Sequence, residues 1–241
     1  ESSQALSLFR GLLAQEPHNA LLQYYLGQTS VLRGEQETAI NHFETAIELE
    51  SAFAAPYLEM ASLFAQHEAW DKVIRLLKEA LDRIDTCPEM YSFLAEAYVK
   101  SGTLQDAIET LEQGRAHHPD QASLSANLAW LYLESGQRLE EAYNLAQKAY
   151  YMKPEDPAVA DTLGWAFYKR GLYTRAIWLF EQALQSEPDH PLVNYHLGLA
   201  RQAKGRDAKA SKAFKKALES GLREPEKTSA RKRLASLQTS G

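Results

Sequence analysis

Residues 157–190 read PAVADTLGWAFYKRGLYTRAIWLFEQALQSEPDH, and their spacing predicts two short helices joined by a tight turn. The first half carries L-G-x2-F, which begins at Leu163 on one helical face, and Gly171 marks the end of that helix. The second half carries A-x3-F, which begins at Ala176, and Pro188 follows its last turn. This stretch therefore predicts a helical hairpin, a unit that cannot bury its apolar face without stacked neighbours.

Small residues mark where the two helices of this hairpin are expected to meet. Gly164 and Ala176 leave room for close approach, because a larger side chain at either position would push the helices apart. Phe167 and Phe180 are expected to fill the space beside them. Pro191 suits the first turn of a following helix, where a missing N–H costs little.

The same pattern recurs in phase through the chain. It predicts a single repeat domain over 1–241 whose parts are a half repeat (second helix only) at 1–19, six full repeats at 20–53, 54–87, 88–121, 122–156, 157–190 and 191–224, and a C-terminal capping helix at 225–241.

Two departures from the pattern are visible in the sequence. Glu68 stands where the other turns between paired helices carry glycine. The 122–156 unit has one extra residue in its turn, near residues 137–139.

The in-phase pattern resembles the tetratricopeptide repeat family, whose signature is L-G-x2-Y, then A-x3-F, then P. The resemblance implies an all-α, right-handed superhelix of antiparallel helix pairs, with the first helix of each pair lining a concave groove. Members are mostly non-catalytic scaffolds that hold an extended peptide or a partner helix there. Residues 122–224 are also similar to repeat segments of bacterial proteins of envelope, exopolysaccharide or secretion assembly.

The helical register predicts which first-helix side chains face the groove. Aromatic residues supply contact area at low entropic cost, and the interleaved carboxylates would favour a basic residue in the ligand. The alternative is that Trp130 and Trp165 pack as ordinary core, as large aromatic side chains often do. The predicted partner-binding residues are Tyr24, Tyr25, Glu59, Phe93, Glu96, Asn127, Trp130, Asp161, Trp165, Tyr168, Tyr195 and His196.

The sequence contains no motif that indicates catalysis or a bound metal. It has no Gly-rich phosphate loop, no nucleophile elbow and no zinc spacing. His117 and His118 are adjacent, so their side chains are expected to diverge rather than share a metal. Cys87 has no basic neighbour in sequence that would lower its pKa. We therefore expect no enzymatic activity, catalytic residue, metal or cofactor.

The charge of the chain is unevenly distributed. The net formal charge of −6 combines a balance of +8 in residues 191–241, from 12 Lys and Arg against 4 Asp and Glu, with −14 in the remainder. The basic end is either a solvated face or a docking patch for an acidic partner. Because the bulk of the chain is acidic, no nucleic-acid partner is expected.

The compartment is left open between cytoplasm and periplasm. No apolar run reaches the ~18 residues of a membrane span. Because the chain begins at Glu1 rather than Met, we expect it to be part of a longer bacterial protein.

Three hypotheses of function follow. The first is a non-catalytic scaffold that binds a protein or peptide in its groove. The second is a self-assembling oligomer, since the helix of residues 1–17 has no preceding partner helix to cover its apolar side chains Leu6, Leu8, Phe9, Leu12 and Leu13. The third is an anionic partner held by the basic C-terminal region.

Overall fold

The computed structural model describes residues 2–239, with side chains for residues 7–237, and this part of the chain is entirely helical apart from its turns. The all-α fold class predicted from the repeat pattern is confirmed. The helices of the described part are α1 (Ser2–Gln15), α2 (Ala20–Leu32), α3 (Gln36–Leu49), α4 (Ala54–Gln66), α5 (Trp70–Leu81), α6 (Pro88–Lys100), α7 (Leu104–His117), α8 (Ala122–Ser135), α9 (Leu139–Met152), α10 (Pro157–Lys169), α11 (Tyr173–Ser186), α12 (Pro191–Ala203), α13 (Asp207–Glu219) and α14 (Glu226–Thr239).

The helices fall into two compact units, each of which we describe by itself. The N-terminal unit comprises residues 1–118 and the C-terminal unit residues 119–241. In the N-terminal unit α1 packs on α2, and the pairs α2–α3, α4–α5 and α6–α7 stack in chain order. The C-terminal unit stacks the pairs α8–α9, α10–α11 and α12–α13, and α14 packs on α13. In this unit α10 also contacts α8 and α12 directly, so its first helices form a layer of their own.

Glycine permits the close approach of paired helices. A Cβ added to Gly164 would lie 2.6 Å from a ring carbon of Phe180, far inside van der Waals contact. The same relation joins Gly198 to Phe214, at 2.5 Å. The predicted contact between the L-G motif of one helix and the phenylalanine of the next is therefore present.

The turns account for both departures from the repeat pattern. Glu68 adopts a φ of 56°, the left-handed conformation that Gly171 adopts at 74° in the equivalent turn. Arg138, just before α9, also has a positive φ of 46° and accommodates the extra residue of that turn. The chain therefore keeps its turn geometry at Glu68 even without glycine.

The helix starts follow ordinary capping chemistry. α10 and α12 begin at Pro157 and Pro191, where a proline loses no intrahelical hydrogen bond. The Asp156 side chain accepts hydrogen bonds from the backbone amides of Ala158 and Val159. The division of the chain into one half repeat, six repeats and a cap remains a prediction. Within residues 2–239, none of the helices combines the length and the apolar character needed to cross a bilayer.

Candidate partner-binding surface

The centre of the C-terminal unit holds three stacked aromatic rings. Trp165 lies between Tyr168, at a centroid distance of 4.8 Å and an interplanar angle of 4°, and His196, at 4.4 Å and 17°. Trp165 and Tyr168 come from α10, and His196 comes from α12. Offset stacking of this kind contributes beyond simple area burial and fixes the rings relative to one another. We call these three side chains the aromatic stack.

Polar partners hold two of the three rings of the aromatic stack. The indole Nε1 of Trp165, the central ring, donates a hydrogen bond of 2.6 Å to Glu134 Oε1 on α8. At the inner end, His196 Nδ1 donates to the Asp161 carboxylate, at 2.9 and 3.1 Å to its two oxygens. Both Asp161 and His196 are buried, so this pair is shielded from solvent screening. The stack is therefore anchored on α8, α10 and α12 together.

A charged pair covers the outer side of Trp165. Lys169 Nζ lies 4.8 Å from the centroid of the Trp165 ring and 3.7 Å from Glu134 Oε1. Glu134 and Lys169 are both exposed. A cation over an indole face and an exposed ion pair each contribute modestly and can exchange partners with a ligand.

The structure separates the predicted C-terminal site residues into interior and surface groups. Asp161, Trp165, Tyr195 and His196 are buried, with Trp165 only 7% exposed. The Tyr195 hydroxyl donates a 2.9 Å hydrogen bond to Ser229 on α14. Trp165 therefore packs as a core residue, which is the alternative stated for it above. All four side chains offer little surface to a ligand.

The surface group consists of Asn127, Trp130 and Tyr168. Asn127 is exposed, whereas Trp130 and Tyr168 are half-buried. Asn127, Trp130 and Glu134 follow one another at helical spacing on α8, and the Trp165–Glu134 hydrogen bond joins that helix to α10. Burial raises the pKa of the Tyr168 hydroxyl.

In the N-terminal unit, three polar side chains meet between α2 and α4. Gln28 Nε2 donates to the Tyr24 hydroxyl at 2.7 Å and to Glu59 Oε1 at 3.0 Å, and Tyr24 donates to Glu59 at 3.4 Å. Burial, followed by the nearby Glu59 carboxylate, raises the pKa of Tyr24. We call Tyr24, Gln28 and Glu59 the polar cluster. Its members are half-buried, unlike the interior of the aromatic stack.

The other predicted residues of this unit have separate surroundings. Tyr25 is exposed and stacks on Phe9 of α1 at a centroid distance of 5.4 Å. Phe93 is half-buried and packs against the core between α4 and α6, while Glu96 is exposed.

Glu134 is the residue that the sequence reasoning missed. The helical register that places Lys169 at the thirteenth position of its first helix places Glu134 at the same position of the preceding one. The signal was therefore present in the spacing. Its role depends on the length of the side chain, which lets the carboxylate reach the indole of the next repeat.

Other reactive groups lie outside these surfaces. Burial raises the pKa of the Cys87 thiol, which donates to Glu89 at 3.4 Å, and this disfavours the nucleophilic thiolate. His117 and His118 both lie against the Tyr91 ring, each at a centroid distance of 6.0 Å. Among the residues that the structure describes, no group of three or more His, Cys, Asp or Glu side chains is placed to hold a metal ion.

The stacked helix pairs define an α-helical repeat protein, and comparison with known families is more specific. Two family models, each described as tetratricopeptide repeat, match residues 98–166 and 162–236, which together span more than half of the chain. The chain belongs to the tetratricopeptide repeat family.

Individual relatives agree with this assignment. A TPR repeat-containing protein of Pseudomonas aeruginosa is 30% identical over 178 residues, covering 70% of this chain and 29% of the relative. The chain spans about three tenths of the length of the curated relatives it matches.

Solved structures show the same fold. The crystal structure of the APC/C hetero-tetramer Cut9-Hcn1 has a TM-score of 0.78 at 19% identity, covering 98% of this chain and 46% of that chain. YrrB, described as a TPR protein with an unusual peptide-binding site, has a TM-score of 0.55 at 17% identity, covering 82% of this chain and 97% of that chain.

Proposed function

We propose that this chain is a non-catalytic scaffold that binds an extended peptide or a helix of a partner protein in a concave groove lined by its first helices. The observation that carries the proposal is the aromatic stack, which is anchored from behind by Asp161 and Glu134 and leaves Tyr168 at its outer end. A rigid aromatic platform gives contact area without the entropic cost of ordering flexible side chains. We further propose a role in a bacterial assembly, secretion or polysaccharide system, on the basis of the similarity of residues 122–224 to repeat segments of such proteins.

We place the binding site on the exposed and half-buried side chains of the first helices in the C-terminal unit. We call this set the α8–α10 surface, and it consists of Asn127, Trp130, Glu134, Tyr168 and Lys169. The buried residues Asp161, Trp165, Tyr195 and His196 are assigned a supporting role, because they position this surface rather than contact the ligand.

The chemistry of the α8–α10 surface indicates the kind of peptide that it would hold. Trp130 and Tyr168 suit an apolar or aromatic side chain, and Glu134 and Lys169 can each pair with a ligand charge when their mutual ion pair opens. In the N-terminal unit we propose a separate ligand surface that consists of Tyr24, Tyr25, Glu59, Phe93 and Glu96. Its carboxylates favour a basic residue in the ligand.

A peptide array tests this assignment. The wild-type chain and the double variant Glu134→Lys/Lys169→Glu are compared on the same array, because the swap keeps the net charge of the protein unchanged. We expect the preferred charges at neighbouring peptide positions to invert while the aromatic preference remains. An array pattern identical for both proteins would contradict the assignment of these two residues.

A second candidate function is self-association through the N-terminal helix. On α1, Leu8 is 60% exposed and Leu12 is 40% exposed, four residues apart on one helical face, and neither is covered by α2. Exposed apolar side chains of this kind favour contact with another molecule. The side chain of Leu6, which was expected to join them, lies outside the described residues.

Light scattering over a concentration series decides this second candidate. We expect the variant Leu8→Ser/Leu12→Ser to lose any apolar association that the wild type shows. Association that is unchanged in this variant would exclude the N-terminal contact.

A further inference from the structure

Each of the two units carries an open groove that is bounded by the second helices of two successive pairs and resembles the groove of the other unit. In the N-terminal unit a groove of about 640 Å³ lies between α5 and α7, with α6 as its floor. In the C-terminal unit a groove of about 750 Å³ lies between α11 and α13, with α12 as its floor. We call them the acidic groove and the basic groove, after the charged residues that line them.

The residues that line the two grooves correspond position by position. Nine of the ten residues that line the acidic groove have a counterpart 103 residues later that lines the basic groove, in the same place on the equivalent helix. Both floors contain a leucine, Leu94 matched by Leu197, and the wall residue Leu81 is matched by Leu184. The two grooves therefore share their construction.

Their charges are opposite at the matched positions. Three acidic residues on α7 become lysines on α13, and the one lysine on α5 becomes a glutamate on α11. The pairs are Asp106 with Lys209, Glu109 with Lys212, Glu112 with Lys215, and Lys78 with Glu181.

The side chains concerned form two matching stripes on helix surfaces. On α7 the acidic residues recur at intervals of three residues, and on α13 the lysines recur at the same intervals. Asp106, Glu109, Lys209, Lys212 and Lys215 are all exposed, so their charges face solvent. Like-charged neighbours on one helix face repel one another, and an opposite stripe at the same spacing removes that repulsion.

We propose that the α7 stripe of one molecule docks on the α13 stripe of a second copy of this chain. The argument for a second copy is charge complementarity at equal spacing on equivalent helices of the same chain. Each molecule then carries one surface of each kind, so the contact is heterologous and can be extended from copy to copy. This interface uses second helices, so it leaves the α8–α10 surface free, and it goes beyond the proposed peptide binding.

The contacts of Glu109 on α7, and of Lys216 and Arg201 beside the lysine stripe, leave the charge of Glu109 and the lysine stripe available. On α7, Glu109 accepts a hydrogen bond from the neutral amide of Gln105 at 2.9 Å, which leaves its charge in place. On α13, Lys216 pairs with Asp189, but this lysine follows the stripe rather than belonging to it. Arg201, on the floor of the basic groove, pairs with Glu181 at 2.9 Å, which leaves the lysines as the outward charges of that groove.

Sedimentation velocity on the full chain tests the proposal without any variant. Because exposed charges are screened by salt, the wild type should self-associate at about 50 mM salt and lose at least roughly tenfold in affinity at about 500 mM. A wild type that stays monomeric at low salt and high concentration would overturn the proposal. Association that is insensitive to salt would also overturn it.

Two charge-reversal variants, each combined with Leu8→Ser/Leu12→Ser to remove any apolar association of α1, then identify the surfaces. Lys209→Glu/Lys212→Glu reverses two of the three charges of the α13 stripe, so both stripes are then net acidic. Asp106→Lys/Glu109→Lys does the same on α7, so both stripes are then net basic. Each variant alone should be monomeric at low salt, whereas an equimolar mixture of the two should associate, because opposite stripes then meet. Association of either variant alone, or failure of the mixture to associate, would contradict the proposed interface.

A matched control separates the stripe from net charge. Arg231→Glu/Lys232→Glu reverses two exposed cations on α14 and changes the net charge by the same amount as the α13 reversal. This control should associate like the wild type, and its loss of association would overturn the assignment to α13. Binding of a poly-glutamate peptide to the wild type with no self-association would point to a different, acidic partner and would likewise overturn the proposal. Circular dichroism should show unchanged helicity in all three variants, since the changed side chains are exposed.

Discussion

The aromatic stack of the C-terminal unit and the polar cluster of the N-terminal unit occupy similar places on first helices but are built differently. The stack buries Trp165 and His196 and closes its end with the buried Asp161 carboxylate. The polar cluster joins Tyr24 to Glu59 through hydrogen bonds that remain half-exposed. The same repeat framework therefore supports one rigid interior site and one adaptable surface site.

The difference teaches which first-helix residues a repeat protein can give to a ligand. In the stack, an indole that reaches across to the carboxylate of the preceding repeat becomes part of the core. In the polar cluster, the hydrogen-bonded hydroxyl, amide and carboxylate belong to side chains that stay half-exposed. A mutation of a buried residue of the aromatic stack should therefore mainly cost stability, whereas one in the polar cluster should mainly cost ligand affinity.

The largest expected effect is the loss of the central ring. Trp165→Ala should lower the free energy of unfolding by about 3–5 kcal/mol, because it removes a buried aromatic side chain and leaves a cavity. Tyr24→Ala, its counterpart in the polar cluster, should cost about half as much, since its ring is only half-buried. Urea unfolding followed by circular dichroism measures both. Equal losses for the two variants would contradict the distinction between interior and surface sites.

The next largest loss of stability is expected for the carboxylates that accept hydrogen bonds in the aromatic stack and in the polar cluster. Asp161→Ala leaves the buried His196 Nδ1–H without its acceptor, which should cost about 1–3 kcal/mol. Glu59→Ala should cost less than about 1 kcal/mol, because solvent can replace the lost hydrogen bonds at a half-exposed site. The same unfolding measurement compares them. A Glu59→Ala loss as large as that of Asp161→Ala would show that the polar cluster is also structural.

The sequence allows the helix pairing to be predicted and the contacts between repeats only in part. The contact between Gly164 and Phe180 can be predicted from their spacing, because the repeat motif itself encodes the close approach of paired helices. The burial of Trp165 is not encoded in that motif. It results from His196 on the next first helix and Glu134 on the preceding one, both more than thirty residues away.

The helical register alone predicts part of the accessible surface of the first helices. It places Trp130 and Tyr168 on accessible first-helix faces, as the structure does, but it assigns Tyr195 and His196 to the same class, although α14 and the stack cover them. A helical register gives the direction of a side chain. It does not say whether a neighbouring helix lies over it.

A smaller change in stability is expected at the turns between paired helices, which differ between the two units. Glu68 holds a left-handed backbone conformation that glycine adopts without steric strain, as Gly171 does in the C-terminal unit. Glu68→Gly should raise the free energy of unfolding by about 1 kcal/mol, because the strain exceeds the added entropy of the unfolded chain.

The control for this turn is Glu44→Gly. Glu44 is an exposed glutamate in the middle of α3, where glycine should cost about 1 kcal/mol. Opposite signs for the two substitutions are expected in thermal or urea unfolding. A loss of stability in Glu68→Gly would mean that the glutamate side chain makes a contact worth more than the backbone strain.

The central claim is that the α8–α10 surface binds a peptide, and one comparison of two tryptophans tests it most directly. Trp130 lies on this surface, whereas Trp178, 59% exposed on the second helix α11, lies outside it. Isothermal titration calorimetry with the best peptide from the array measures the affinity of the wild type, Trp130→Ala and Trp178→Ala. The account predicts a loss of roughly tenfold or more for Trp130→Ala and no change for Trp178→Ala. An affinity that falls in Trp178→Ala and is unchanged in Trp130→Ala would contradict it and place the ligand on the second helices.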